Sequence, residues 1–136
     1  MPQSFVTQEP RREEPRPLLL IVDDDAVVAT VLGSLLRGDG YDVVVESDSA
    51  AAIERLSRAP LPDALITDLH MPGPDGIEVS RQAQVQRMEL PIFVLTGDPG
   101  SIARSSGLSS RVEVVSKPVD YARLVRRLHA IVPVSP

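Results

Sequence analysis

Five polar side chains stand at or just past the ends of apolar runs in this sequence. Asp23 and Asp24 follow Leu18 to Val22, Asp68 follows Ala64 to Thr67, Thr96 follows Pro91 to Leu95, and Lys117 follows Arg111 to Val115. Three carboxylates brought together repel one another and raise their pKa values unless a cation relieves them. All are hard oxygen ligands, with no thiolate and no imidazole pair beside them, so Mg²⁺ is the natural metal. A lone Lys is a mobile point charge that pairs with a carboxylate or a phosphoryl oxygen, and a Thr hydroxyl donates to the same oxygen. Mg²⁺, Lys and Thr together suit the three equatorial oxygens of a phosphoryl group in transfer. An Asp set among them can act as a nucleophile and form an acyl phosphate. Asp68 is the residue predicted to do so.

The elements that must position these groups alternate along the chain. Leu18 to Val22 is a continuous apolar run of strand length, suited to burial on both faces of a parallel sheet. A helical pattern follows, with Val28, Val31, Leu32, Leu35 and Leu36 on one stripe, Asp25 as its cap, and Gly38 and Gly40 as stops. Tyr41 to Val45 predicts a second strand, and Ser47, Asp48 and Ser49 offer caps to a helix ending before Pro60 and Pro62. The third strand, Ala64 to Thr67, gives way to a loop rich in Pro and Gly, then to a helix from Ile77 to about Arg87. Pro91 to Leu95 and Arg111 to Val115 are the fourth and fifth strands, with a short, weak helix around Ser101 to Ser106 between them. The last helix, capped by Asp120, carries Tyr121, Leu124, Val125, Leu128, Ile131 and Val132 on one face. Short links and buried-type strands predict a doubly wound α/β fold. Its expected form is a five-stranded parallel sheet of order 2-1-3-4-5, a flavodoxin-like three-layer sandwich. In that order the ends of strands 1, 3, 4 and 5 converge on one pocket at the carboxyl edge.

Composition fits one such domain. The 136 residues suffice for a single core, and with only two Phe, two Tyr and no Trp that core must be aliphatic. The net charge of −5, with no long basic run, argues against direct nucleic-acid binding. Without Cys there are no disulfides and no thiolate metal site. No apolar stretch reaches the ~20 residues of a membrane span, and no secretory signal pattern opens the chain, so a cytoplasmic protein is expected. Residues 1–17, polar and Pro-rich, are predicted to be a disordered tail. Residues 18–132 form the domain, and 133–136 a C-terminal tail.

Four segments together carry a family resemblance: Val22-Asp23-Asp24-Asp25, the stretch from Thr67-Asp68-Leu69-His70-Met71-Pro72 to Gly73-Pro74-Asp75-Gly76, Leu95-Thr96-Gly97, and Ser116-Lys117-Pro118. In order and spacing they resemble the signature set of response-regulator receiver domains, the CheY-like family of two-component signalling. The resemblance implies that Asp68 is the phosphoacceptor. Asp24, Asp68 and the main-chain carbonyl of His70 would ligate Mg²⁺, with Asp23 supporting the metal through water. Thr96 would be the switch hydroxyl, Lys117 would pair with the phosphoryl group, Gly97 would keep the entrance small, and the Lys117–Pro118 bond would be cis. His70 and Asp98 occupy positions that tune phosphoryl lifetime in the family. The implied donor is a phosphohistidine on a sensor histidine kinase or histidine phosphotransfer protein. The implied target is a further protein, and homodimerisation is open. Such a domain catalyses only its own phosphorylation and dephosphorylation. The sequence departs from the pattern at Val114, where the family usually places an aromatic.

Two other readings stand beside this one. A pseudo-receiver would bind proteins without phosphorylation, and Val114 is its support. Asp23-Asp24-Asp25-Ala26-Val27 also fits the D-x-D-x-[TV] motif of haloacid-dehalogenase-type phosphatases, with Asp23 as nucleophile, but that leaves Asp68 and its loop unexplained. Asp25, Asp48 and Asp75 are expected to be helix caps rather than site residues, and Tyr121 to pack as core. The chain stops just past the last helix, as a stand-alone receiver or a piece of a longer chain would.

Overall fold

The computed structural model describes residues 15–101 and 111–135. The predicted disorder of residues 1–14 and most of the helix expected around Ser101 to Ser106 lie outside them. The chain alternates β1 (Leu18–Val22), α1 (Ala26–Gly38), β2 (Asp42–Glu46), α2 (Ser49–Leu56), β3 (Ala64–Asp68), α3 (Gly76–Gln86), β4 (Ile92–Thr96), β5 (Val112–Ser116) and α4 (Tyr121–Ile131). A single 3₁₀ turn, Pro99–Ser101, follows β4. The five strands form one sheet of order β2-β1-β3-β4-β5, and every pairing is parallel. This is the doubly wound architecture the alternation predicts.

Side chains leave successive strand residues on opposite faces, and the two halves of the core follow that period. Leu19, Ile21, Ala64, Ile66, Phe93 and Leu95 pack under α1 and α4. Leu20, Val22, Leu65, Ile92 and Val94 pack under α2 and α3. β3 and β4 lie inside the sheet and are buried along their whole length, whereas β5, at an edge, is only partly covered. Among the described residues, each of the four α-helices is entered through an Asp cap: Asp25, Asp48, Asp75 and Asp120 each accept a backbone N–H of the following turn.

The buried face of α1 differs from the predicted stripe. Ala29, Leu32, Gly33 and Leu36 face the sheet, while Val28, Val31 and Leu35 are about half exposed, with Val27 beside them. The reason is close approach. A Cβ on Gly33 would stand 3.1 Å from Val45 Cγ2 and 3.3 Å from Val43 Cγ1, so the small residues let the helix lie against the strands. The larger apolar side chains turn outward. The far end of α1 is secured by Arg16, whose guanidinium donates to the carbonyls of Arg37, Gly40 and Tyr41. Tyr41 lies just outside β2, fully buried, and its hydroxyl donates to the Val132 carbonyl at 2.7 Å.

Candidate functional site

Strand register brings the predicted groups level. Val22 pairs with Thr67, Asp68 with Leu95, and Thr96 with Ser116. Asp23, Asp24, Asp68, Thr96 and Lys117 therefore meet at the carboxyl edge, where open α/β sheets hold ligands beside the reversal of strand order between β1 and β3.

Asp68 closes β3 and is 7% exposed. Its Oδ1 accepts the Lys117 ammonium at 2.7 Å and the Leu69 N–H at 3.1 Å. Both bonds fall on one oxygen, so among the described residues Oδ2 has no donor. Below it, the buried Thr67 hydroxyl donates to the Asp68 carbonyl at 2.9 Å. Asp23 is 3% exposed and its Oδ1 accepts the Asp25 N–H at 2.9 Å. Burial lifts the Asp23 carboxyl above its ordinary pKa, and the nearby charges of Asp68 and Asp24 add to the rise; the Asp25 N–H and Lys117 oppose it. Asp24 is exposed at the rim, and one oxygen from each of Asp23, Asp24 and Asp68 lies within 4.8 Å of the others.

Lys117 follows β5, and its N–H donates to the Thr96 carbonyl at 2.8 Å. Burial alone would lower its ammonium pKa, but the bond to Asp68 and the fields of Asp68, Asp23 and Asp24 hold it above the usual value. The Lys117–Pro118 peptide is cis. Thr96 is 1% exposed, and its Oγ1 accepts the Asp98 N–H at 2.9 Å. That leaves its hydroxyl proton for another acceptor. His70 is exposed, and its carbonyl accepts no hydrogen bond among the described residues.

The donor set fits a hard divalent cation: carboxylates in mutual repulsion, one of them desolvated, with an unengaged carbonyl in the adjacent loop. Asp24, Asp68 and the His70 carbonyl are the residues that would hold it, with Asp23 behind them. Asp25, the second carboxylate of the D-x-D motif, is the cap of α1, as expected: its Oδ1 accepts from Val27 N and Val28 N.

Two site features escaped the sequence. Gly76 opens α3 directly against the strand end, and a Cβ there would stand 2.2 Å from the Asp68 carbonyl oxygen and 2.9 Å from Leu69 Cα. The Asp75-Gly76 pair signals a turn, but nothing in it announces that approach. Ser49, one of three cap candidates, is buried, and its hydroxyl donates to the Pro72 carbonyl in the loop after Asp68. Val114, at the departure from the family pattern, is 40% exposed on β5.

Known proteins match this arrangement. A family model described as the response regulator receiver domain matches residues 19–129. Response regulator MprA of Mycobacterium leprae (strain TN) is 37% identical over 114 residues, 83% of this chain and 50% of that protein. The chain thus spans about half the length of the curated relatives it matches. The receiver domain of sensor histidine kinase PA1611 from Pseudomonas aeruginosa PAO1 superposes with a TM-score of 0.72 at 27% identity, covering 87% of this chain and 98% of that one. It was solved with a magnesium ion coordinated in its active site cleft. Response regulator TrrA from Thermotoga maritima, in complex with Mg²⁺-BeF, gives a TM-score of 0.73 at 25% identity, covering 85% and 99%. With five parallel strands in the order 2-1-3-4-5 and this family match over most of its length, the chain belongs to the response regulator receiver domain family.

Proposed function

We propose that this receiver domain is a phosphorylation switch in which Asp68 takes a phosphoryl group from a phosphohistidine. The observation that carries the reading is the convergence on Asp68: Lys117 bonded to one oxygen at 2.7 Å, Asp23 and Asp24 alongside, and the Thr96 hydroxyl at the next strand end. The free carboxylate oxygen of Asp68 attacks phosphorus, an O–P bond forms, and the N–P bond to the donor imidazole breaks. The electron pair of that bond stays on the imidazole nitrogen. Asp24, Asp68 and the His70 carbonyl, with Asp23 in support, would hold Mg²⁺, which would supply positive charge for the phosphoryl oxygens. Lys117 moves from the carboxylate to a phosphoryl oxygen, and Thr96 turns its hydroxyl proton to another. His70, two residues past Asp68, and Asp98, two past Thr96, are both exposed and set how readily water removes the group. That hydrolysis releases inorganic phosphate and restores the Asp68 carboxylate, and no other substrate is turned over.

The donor is a sensor histidine kinase or histidine phosphotransfer protein of the cytoplasm. The outward stripe of α1, formed by Val27, Val28, Val31 and Leu35, begins at the rim of the site and gives such a protein an apolar face to dock on. Among the described residues no helix is long and apolar enough to cross a membrane. The exclusion of nucleic acid suggested by net charge gains no support from the matched relatives, which are about twice as long.

The test is labelling with acetyl phosphate and Mg²⁺, followed by hydroxylamine. A receiver gives a label that hydroxylamine removes, as it does from an acyl phosphate, and does not turn over p-nitrophenyl phosphate. Repeated turnover of p-nitrophenyl phosphate, or a hydroxylamine-resistant label, contradicts the assignment.

A further inference from the structure

Between Asp68 and α3, residues 70–74 run without regular structure. Their entry is fixed by the Leu69 N–H, which donates to Asp68 Oδ1 at 3.1 Å and to the Leu95 carbonyl at 2.9 Å. Their exit is fixed by the Gly76 N–H on the Leu69 carbonyl at 2.8 Å and by the Asp75 cap on Glu78 N. Between these anchors, among the described residues, one hydrogen bond reaches the segment from another element. The Ser49 hydroxyl donates to the Pro72 carbonyl at 3.3 Å.

Ser49 is the first residue of α2 and only 3% exposed. It does not cap that helix, because Asp48 accepts the Ala50 N–H. Its buried hydroxyl is instead satisfied on the acceptor loop. The next residue of the loop, Gly73, has φ +74°, a conformation that costs other residues energy. A side chain built there would come within 3.9 Å of Ser49 Oγ. The pinned carbonyl belongs to a proline, whose φ is locked. Between it and the His70 carbonyl only the Met71 torsions and ψ of Pro72 are soft, and Met71 packs against the core under α2 and α3.

We infer that Ser49 is a positioning residue for the metal side of the site. By holding the Pro72 carbonyl it fixes the His70 carbonyl two residues earlier and so raises the affinity for Mg²⁺. The inference rests on the Mg²⁺ assignment proposed above.

Mg²⁺ titration by NMR, read at the amides of Asp23 to Asp25, is compared in wild type, Ser49→Ala and Ser49→Thr. Amide exchange of residues 70, 71 and 73 is followed in the metal-free proteins. Loss of one neutral hydrogen bond predicts Mg²⁺ binding about 3- to 10-fold weaker in Ser49→Ala, and loop exchange faster by a similar factor. Ser49→Thr, which keeps the hydroxyl, stays near wild type in both. At saturating Mg²⁺ the phosphorylation rate of Ser49→Ala returns to that of wild type, because the loss lies in metal affinity. Wild-type Mg²⁺ affinity in Ser49→Ala overturns the inference, whatever the exchange rates, and so does an equal loss in Ala and Thr. A wild-type protein that binds no Mg²⁺ overturns the metal assignment and this inference together. A wild type that binds, with an alanine variant that binds equally well, overturns this inference alone.

Discussion

Gly76→Ala isolates the contact between α3 and the strand that ends in Asp68. The added Cβ would lie 2.2 Å from the Asp68 carbonyl oxygen, 2.9 Å from Leu69 Cα and 3.1 Å from the Asp68 carbonyl carbon. Comfortable non-bonded contacts need about 3.5 Å, so the shortfall is about 1.3 Å. All three atoms are backbone, and no flexible side chain can swing away. Either the first turn of α3 retreats, breaking the 2.8 Å bond from Gly76 N–H to the Leu69 carbonyl and loosening buried Ile77 and Val79, or the Asp68–Leu69 peptide is displaced. A lost hydrogen bond of about 1 kcal/mol and overpacking of about 2 kcal/mol give a destabilisation of about 3 kcal/mol. At ~4 °C per kcal/mol for a domain of this size, the melting temperature falls by about 12 °C. A 1 Å misplacement of the nucleophile costs on the order of 100-fold in phosphorylation rate. Gly38→Ala is the control: nothing lies within 4 Å of a Cβ there, and a helical alanine gains about 0.5 kcal/mol. Circular dichroism melts read stability, and mass spectrometry after acetyl phosphate reads the rate. A Gly76→Ala protein that melts within 2 °C of wild type and is phosphorylated at the wild-type rate refutes the reasoning.

Other perturbations test neighbouring parts. The folded protein holds the Asp23 proton more tightly than the unfolded chain, so ionising it costs stability as pH rises from the ordinary carboxyl range through the raised value. Asp23→Asn should therefore melt a few degrees above wild type at neutral pH in metal-free buffer, an advantage that fades in acid and narrows when Mg²⁺ is added; melts across pH check this. Lys117→Ala leaves the Asp68 carboxylate, only 7% exposed, without its 2.7 Å cationic partner, so stability should fall by about 1–3 kcal/mol. Its phosphorylation rate should fall about 100-fold, as when one charge-stabilising donor is lost; the mass assay reads it. Tyr41→Phe leaves the Val132 carbonyl without its 2.7 Å partner and should cost about 1–2 kcal/mol. It should also abolish the tyrosinate absorbance step near pH 12, where burial and Asp39 have pushed the Tyr41 hydroxyl.

The sheet and the candidate site were legible because four of the five strands, β1, β3, β4 and β5, end at a candidate site residue or are followed directly by one. Asp68 closes β3, Thr96 closes β4, and Lys117 follows β5 directly. Parallel strands, their order and the carboxyl-edge rule then place the side chains together without further information. Hydropathy misjudged α1, because Ala29 and Gly33 face the core through their lack of bulk while Val28, Val31 and Leu35 do not. Strand β2 lies one residue later than predicted. Tyr41 is core by virtue of its ring, and its hydroxyl is satisfied at the end of α4. The demand for glycine at position 76 and the bond from Ser49 to Pro72 depend on distances between elements remote in sequence. No local pattern encodes such distances.

The central claim is phosphorylation of Asp68, and its most direct test is intact mass after incubation with acetyl phosphate, with and without Mg²⁺, on wild type and Asp68→Asn. Wild type should gain the mass of one phosphoryl group only when Mg²⁺ is present, and Asp68→Asn should gain none. A wild type that gains nothing under any condition, or an Asp68→Asn protein that gains the group as readily, would contradict the account.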